Sequence, residues 1–217
     1  MSKQYYILKP AVGTKETGMT YPPLESFEDY DFNSPKSVYK LNSDSFPDFI
    51  PDIRFKLAKG AKLCDVMGQG TISACGLLIN EGVKEVLEQF NLIPHKYYPA
   101  TIQDKGIIHK YYWVHCVWED GIKHLDFSNS RFQINEFGDN LGDVELNSYQ
   151  ELLDKQTELG FMKMLYNYNS SMYNIDFELF THPLNKTIYV SEKLFSSLTH
   201  KSFTGIDISV ADNLLVR

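Results

Sequence analysis

Cysteine is scarce in this 217-residue chain, which holds Cys64, Cys75 and Cys116 and no others. An odd, sparse set excludes the disulfide framework of a small secreted fold and points to a reducing cytoplasm. Basic charge is in deficit too: 21 Lys and Arg against 28 Asp and Glu give a formal net charge of −7. That argues against a nucleic-acid ligand, because phosphate binding needs a basic footprint. No stretch approaches the ~20 apolar residues of a membrane span. The start MSKQYYILKPAVG has no apolar run of signal-peptide length before Pro10 and Gly13. Neither CxxC nor HxxxH spacing occurs, so no metal site and no cofactor is expected. The expected protein is cytoplasmic and does not engage membranes.

Aromatic residues are plentiful, with 14 Tyr and 14 Phe, which suits sheet and a recognition surface. Acid is unevenly spread. Tyr21 to Asp52 carries Glu25, Glu28, Asp29, Asp31, Asp44, Asp48 and Asp52 against Lys36 and Lys40, with five prolines and seven aromatics among them. That composition is too aromatic for simple disorder and reads as an ordered arm with little regular structure. The expected organisation is a single domain over 1–217, with 1–60 a peripheral acidic, aromatic-rich arm and 61–217 the core.

Strands are expected at 4–8, 53–57, 96–103, 107–118, 122–127, 175–180, 187–190 and 206–210. Asn80 is an N-cap residue ahead of an apolar stripe at Val83, Val86, Leu87 and Phe90, so a helix starts there and stops before Pro94. Ser148 and Glu151 form a capping box for a second helix that Gly160 can end, and a third starts at Ser191. The fold class is therefore α+β, a mainly antiparallel sheet with a few packed helices. Two stretches share a strand-into-helix pattern 111 residues apart: Ile79 matches Val190, Asn80 Ser191, Glu81 Glu192, Val83 Leu194 and Leu87 Leu198.

The stretch HKYYWVHCVWEDGIKHLDFSNS (109–130) gathers His109, His115, Cys116, His124 and Asp126. Cys75, then His109 or His115, then Asp126 is the chain order of a transglutaminase-like hydrolase or acyltransferase. An Asp120-Gly121 hairpin turn would set Asp126 opposite His115. Against this, Cys75 precedes the helix N-cap by five residues, away from the dipole that would lower its pKa. His115 and Cys116 alternate across the strand and cannot share a metal ion. Both faces of 111–118 are mostly apolar, as in a central strand covered on both sides. No catalytic residue is expected.

Four stretches resemble, in order, a family of bacterial immunity proteins from polymorphic toxin systems, first catalogued as a domain of unknown function. They are YYIL (5–8), LLINEGVKEVLEQFNLIPHKYYPATI (77–102), YYWVHCVWEDGIKHLD (111–126) and IYVSEKLFSSLTHKSFTGIDI (188–208). They are similar to that family's YYxL start, its LLVSExLKxxL helix followed by YYPVxI, its hairpin ending in LD, and its ILVSExLKxxLxxxxLTG ending. Gly82 and Lys201 to Phe203 depart from the pattern. The resemblance covers roughly 60–210 and implies neutralisation of a cognate toxin by stoichiometric protein binding, not turnover. A basic toxin would fit the uneven charge, which makes Glu25, Glu28, Asp29 and Asp31 candidate partner-binding residues, with Phe27, Tyr30 and Phe32 as anchors.

Overall fold

The computed structural model describes residues 3–217. In chain order the elements are β1 (Tyr5–Pro10), β2 (Leu24–Glu25), β3 (Ile53–Leu57), β4 (Val66–Met67), β5 (Gly76–Ile79), α1 (Glu81–Leu87), β6 (His95–Asp104) and β7 (Ile107–Cys116). Then come β8 (Arg131–Glu136), β9 (Asp139–Val144), α2 (Tyr149–Leu159), β10 (Lys163–Met172), β11 (Leu179–Thr181), β12 (Ile188–Ser191), α3 (Glu192–His200), β13 (Ile206–Val210) and β14 (Leu214–Val216). The class is α+β. Among the described residues three sheets run β2-β3-β6-β7-β5-β4, β11-β12-β1-β13 and, as the third, β14-β10-β8-β9, antiparallel except for the pairs β3–β6 and β10–β14. No described helix is long and apolar enough to cross a membrane.

The three helices start where their caps dictate. Asn80, Ser148 and Ser191 each accept the backbone N–H three residues on, satisfying a donor that the first turn would otherwise orphan. The capping box is shifted by one: Glu151 accepts from Asn147 N rather than from Ser148. Val83, Val86 and Leu87 under α1, and Leu194 and Leu198 under α3, are buried in one shared core.

The repeat is larger than one strand and one helix. The β4–β5 hairpin, with Val66 opposite Ile79, matches the β11–β12 hairpin, with Leu179 opposite Val190. β5 then pairs with β7 (Ile79 opposite Tyr112) as β12 pairs with β1 (Val190 opposite Tyr6). The third neighbours, β6 and β13, also correspond, so β4-β5-β7-β6 mirrors β11-β12-β1-β13. Tyr5-Tyr6 and Tyr111-Tyr112 occupy like places.

The two units interlock. After α1 the chain crosses to the other unit, where Ile93 N donates to Leu179 O and Glu178 N to Asn91 O. After α3 it crosses back, and Val66 N donates to Thr204 O. Gly205 sits at that crossing with φ +75°, and a Cβ there would lie 2.1 Å from Val66 O. Cys75 Sγ donates to Lys186 O at 3.3 Å, joining the two positions the repeat equates. A Cβ on Gly82 would lie 3.3 Å from the Phe203 ring, so the missing side chain in α1 makes room for that ring.

Three sequence expectations need correction, and the first is that the strand expected at 175–180 starts only at Leu179. Residues 122–127 form no strand, because both edges of β7 are already taken by β5 and β6. Gly121–His124 instead winds as a 3-10 turn against Trp118, whose indole would lie 2.8 Å from a Cβ on Gly121. The stretch 1–60 is more than peripheral. It supplies β1 to one unit and β3 to the edge of β6, and its Leu24, Tyr30, Val38 and Leu41 form a second core with Leu78, Tyr98, Ile102, Tyr111 and Trp113. Regular structure at 131–144 and 163–172 was not expected, and DNLGD carries none of the β-branched residues that mark strands.

If the units are equivalent, Leu87→Ala and Leu198→Ala should each cost about 2–5 kcal/mol in urea unfolding, the range for a buried leucine. A loss at either site well below ~1 kcal/mol would contradict the equivalence.

Candidate functional site

Cys75, His109, His115 and Asp126 are not brought together. Gly76 lies opposite His115, so His115 points to the arm side of the sheet, where its Nε2 donates to Asn42 O at 2.7 Å. Cys75 and Cys116 share the other face, in the main core. His109 is six residues along β7, ~20 Å away at strand rise. Asp126 caps its own turn, accepting from Asn129 N at 3.2 Å and Asn129 Nδ2 at 2.8 Å. Burial pushes the Cys75 thiol up to about 11, the direction opposite to that needed for a nucleophilic thiolate. Among the described residues no group of His, Cys, Asp and Glu could hold a metal ion.

A buried Ser–His pair carries no sequence motif. Ser170 on β10 lies 2.9 Å from Nε2 of His182, at the end of β11. Backbone N–H groups of Leu184 and Asn185 point at Nδ1, at 3.2 and 3.4 Å, which puts the imidazole proton on Nε2. Nε2 therefore donates to Ser170 Oγ, and the hydroxyl donates onward to Asn167 Oδ1. A general base would have to accept from the serine, so this chain of donors runs the wrong way for catalysis. Asn167 Nδ2 reaches Arg131 O and Asn169 O, so the network ties the third sheet to the second repeat unit.

The acidic arm is exposed but partly self-neutralised. Asp29 faces Arg54 at 3.6 Å and Glu28 faces Lys56 at 4.0 Å, while Glu25 lies opposite Lys56 in the β2–β3 pairing. Asp31 accepts from Asn33 N. The aromatics face inward: Tyr30 is buried, donating to Asp52 O and accepting from Val38 N, and Phe27 and Phe32 pack half-buried on the second core. Arg54 and Lys56 also lie over the Phe27 ring. An anchor must be free to enter a partner, and Tyr30 is not.

Exposed apolar side chains gather elsewhere, at the far end of the third sheet. They are Phe137 in the β8–β9 turn, Phe161 and Met162 in the α2–β10 turn, and Met164 on β10. A separate cleft of about 470 Å³ lies between the units, lined by Ser43, Gln69, Cys75, Tyr166, Lys186 and Asn213.

His182 generates a pH prediction. Burial lowers its pKa to about 4, below the ordinary 6.5, so the unfolded chain takes up the proton first as the solution is acidified. The stability that His182 gives is complete above pH ~6.5 and is lost as pH falls toward 4, by about 3 kcal/mol in all. His182→Asn keeps an acceptor for the backbone N–H groups but does not titrate. Urea unfolding at pH 7 and pH 4.5 should show a loss ~2–3 kcal/mol larger in the native protein than in the variant. Equal pH dependence in the two would contradict the assignment.

Comparison with protein-family models finds no match for this chain, and comparison with curated proteins finds none either, so the likeness to immunity proteins rests on the quoted motifs.

Proposed function

We propose that this chain is an immunity protein, which binds a cognate toxin domain one to one and occludes its active site. The observation that carries the reading is a surface pairing: bulky exposed apolar side chains set in an acidic region, on a scaffold whose two halves are locked together. Preformed shape limits the ordering cost of association, and complementary charge speeds the encounter. The motif order from YYIL to the closing TG supports the same function.

The partner's chemistry follows from charge. A chain of net charge −7 attracts a basic partner and repels nucleic acid, so a basic protein and not a nucleic acid fits as the ligand. Glu25, Glu28, Asp29 and Asp31 contribute to that field as steering charges on the outside of the arm, while the affinity comes from apolar contacts.

Co-expression with the toxin domain encoded next to this gene should give a 1:1 complex on gel filtration and should protect the cell. Folded Cys75→Ala, His109→Ala and Asp126→Ala proteins should protect as well as the native chain. Complete loss of protection in a folded Cys75→Ala protein would favour the hydrolase instead.

A further inference from the structure

Phe137 occupies a position that the fold does not explain. It is the first residue of the two-residue β8–β9 turn, with φ +50°, and Gly138 follows at φ +97°. Turns with positive φ at both central residues favour Asn-Gly or Asp-Gly, and an aromatic residue there is disfavoured by the crowding of its Cβ against the backbone. The Phe137 side chain recovers none of this inside the protein, being 82 % exposed.

Its surroundings repeat the anomaly. Lys163 pairs with Glu136, and continuing that register sets Met162 beside Phe137 and Phe161 beside Gly138. Phe161 is 105 % exposed, Met164 66 % and Met162 58 %. Single exposed apolar residues are ordinary, but two phenylalanines and two methionines at one sheet end mark an interaction site. We propose that this end of the β8–β9–β10 sheet is the docking surface for a basic protein, with Phe137 and Phe161 as the anchors. On the function proposed above, that protein is the toxin.

Charge selects the occupant. Along their whole length residues 131–166 hold Glu136, Asp139, Asp143, Glu145, Glu151, Asp154 and Glu158 against Arg131, Lys155 and Lys163, and Glu136 and Asp139 flank the Phe137 turn itself. Lys155 is already paired with Glu158 at 2.9 Å. A second copy would set acid against acid, and an anionic membrane would be repelled in the same way. A basic protein surface is drawn in, and the flexible methionines can adapt around its recess. Strand addition is not the mode: β9 is an open edge but is bulged at Leu141 and carries Asp139 and Asp143, features that blunt an edge.

The test pairs Phe137→Asn with Phe161→Ser and measures binding of the adjacent-gene toxin domain by titration calorimetry, alongside urea unfolding. Asn suits a left-handed φ, so Phe137→Asn should fold at least as stably as the native chain while the double variant binds the toxin at least tenfold more weakly. A stability gain with a binding loss is a combination that a merely structural role would not produce. If the native chain binds and the double variant binds equally well, the docking surface is overturned and the function stands. If the native chain does not bind the toxin domain, the function falls and the occupant with it. If the native chain self-associates in sedimentation and the double variant does not, the occupant is a second copy and the proposal is overturned.

Discussion

Each repeat unit completes the other's sheet edge, and the rest of the structure depends on that exchange. The segment after α1 pairs with Leu179 at the start of β11, and the segment after α3 pairs with Val66 at the start of β4. Two half-buried carboxylates hold these crossings. Asp65 accepts from Asn80 Nδ2, from Thr204 N and from Thr204 Oγ1, tying the cap of α1 to the end of the other unit. Glu178 accepts from the Ser191 hydroxyl, the cap of α3, while its own N–H goes to Asn91 O. The caps of α1 and α3 are therefore each held by a residue of their own unit, Asp65 or Glu178, that also bonds the segment following the other unit's helix. A four-stranded sheet with one short helix leaves an apolar face open, and the two units close that face on each other.

This arrangement leaves the third sheet as an attachment. Its near end enters the common core through Phe132, Met172 and Val216, and it is pinned by the His182–Ser170–Asn167 chain. Toward the far end, α2 contributes no buried residue. Side chains there are released from the demands of packing, which is why a phenylalanine in a left-handed turn can persist. The arm differs, since its aromatics are committed to a second core over Trp113 and its acids partly to Arg54 and Lys56.

What the sequence disclosed was local. Asn80, Ser148 and Ser191 announce helix starts because a cap acts within three residues, and the Lys105-Gly106 turn between β6 and β7 is written in adjacent residues. The offset of 111 residues was visible in the strand–helix pairs, but not that β1 fills the place of β7, because that match reverses chain order. The hairpin at Asp120-Gly121 failed for want of non-local knowledge: β5, from forty residues upstream, already holds the edge a returning strand would need. The Ser170–His182 pair and the placing of the α2–β10 turn beside the β8–β9 turn depend on register, which no short motif encodes. The acidic arm was legible as composition, yet the inward turn of Tyr30 was not.

Native-state hydrogen exchange tests the interlock most directly. If the two units stabilise one another, the amides of Val66, Asn80, Ile93 and Ser191, two from each side of the exchange, should open with one common free energy close to that of global unfolding. The amides of β9 and α2 should open at lower cost. Separate opening of the two units, with Val66 and Asn80 exchanging at one free energy and Ile93 and Ser191 at another, would contradict the account.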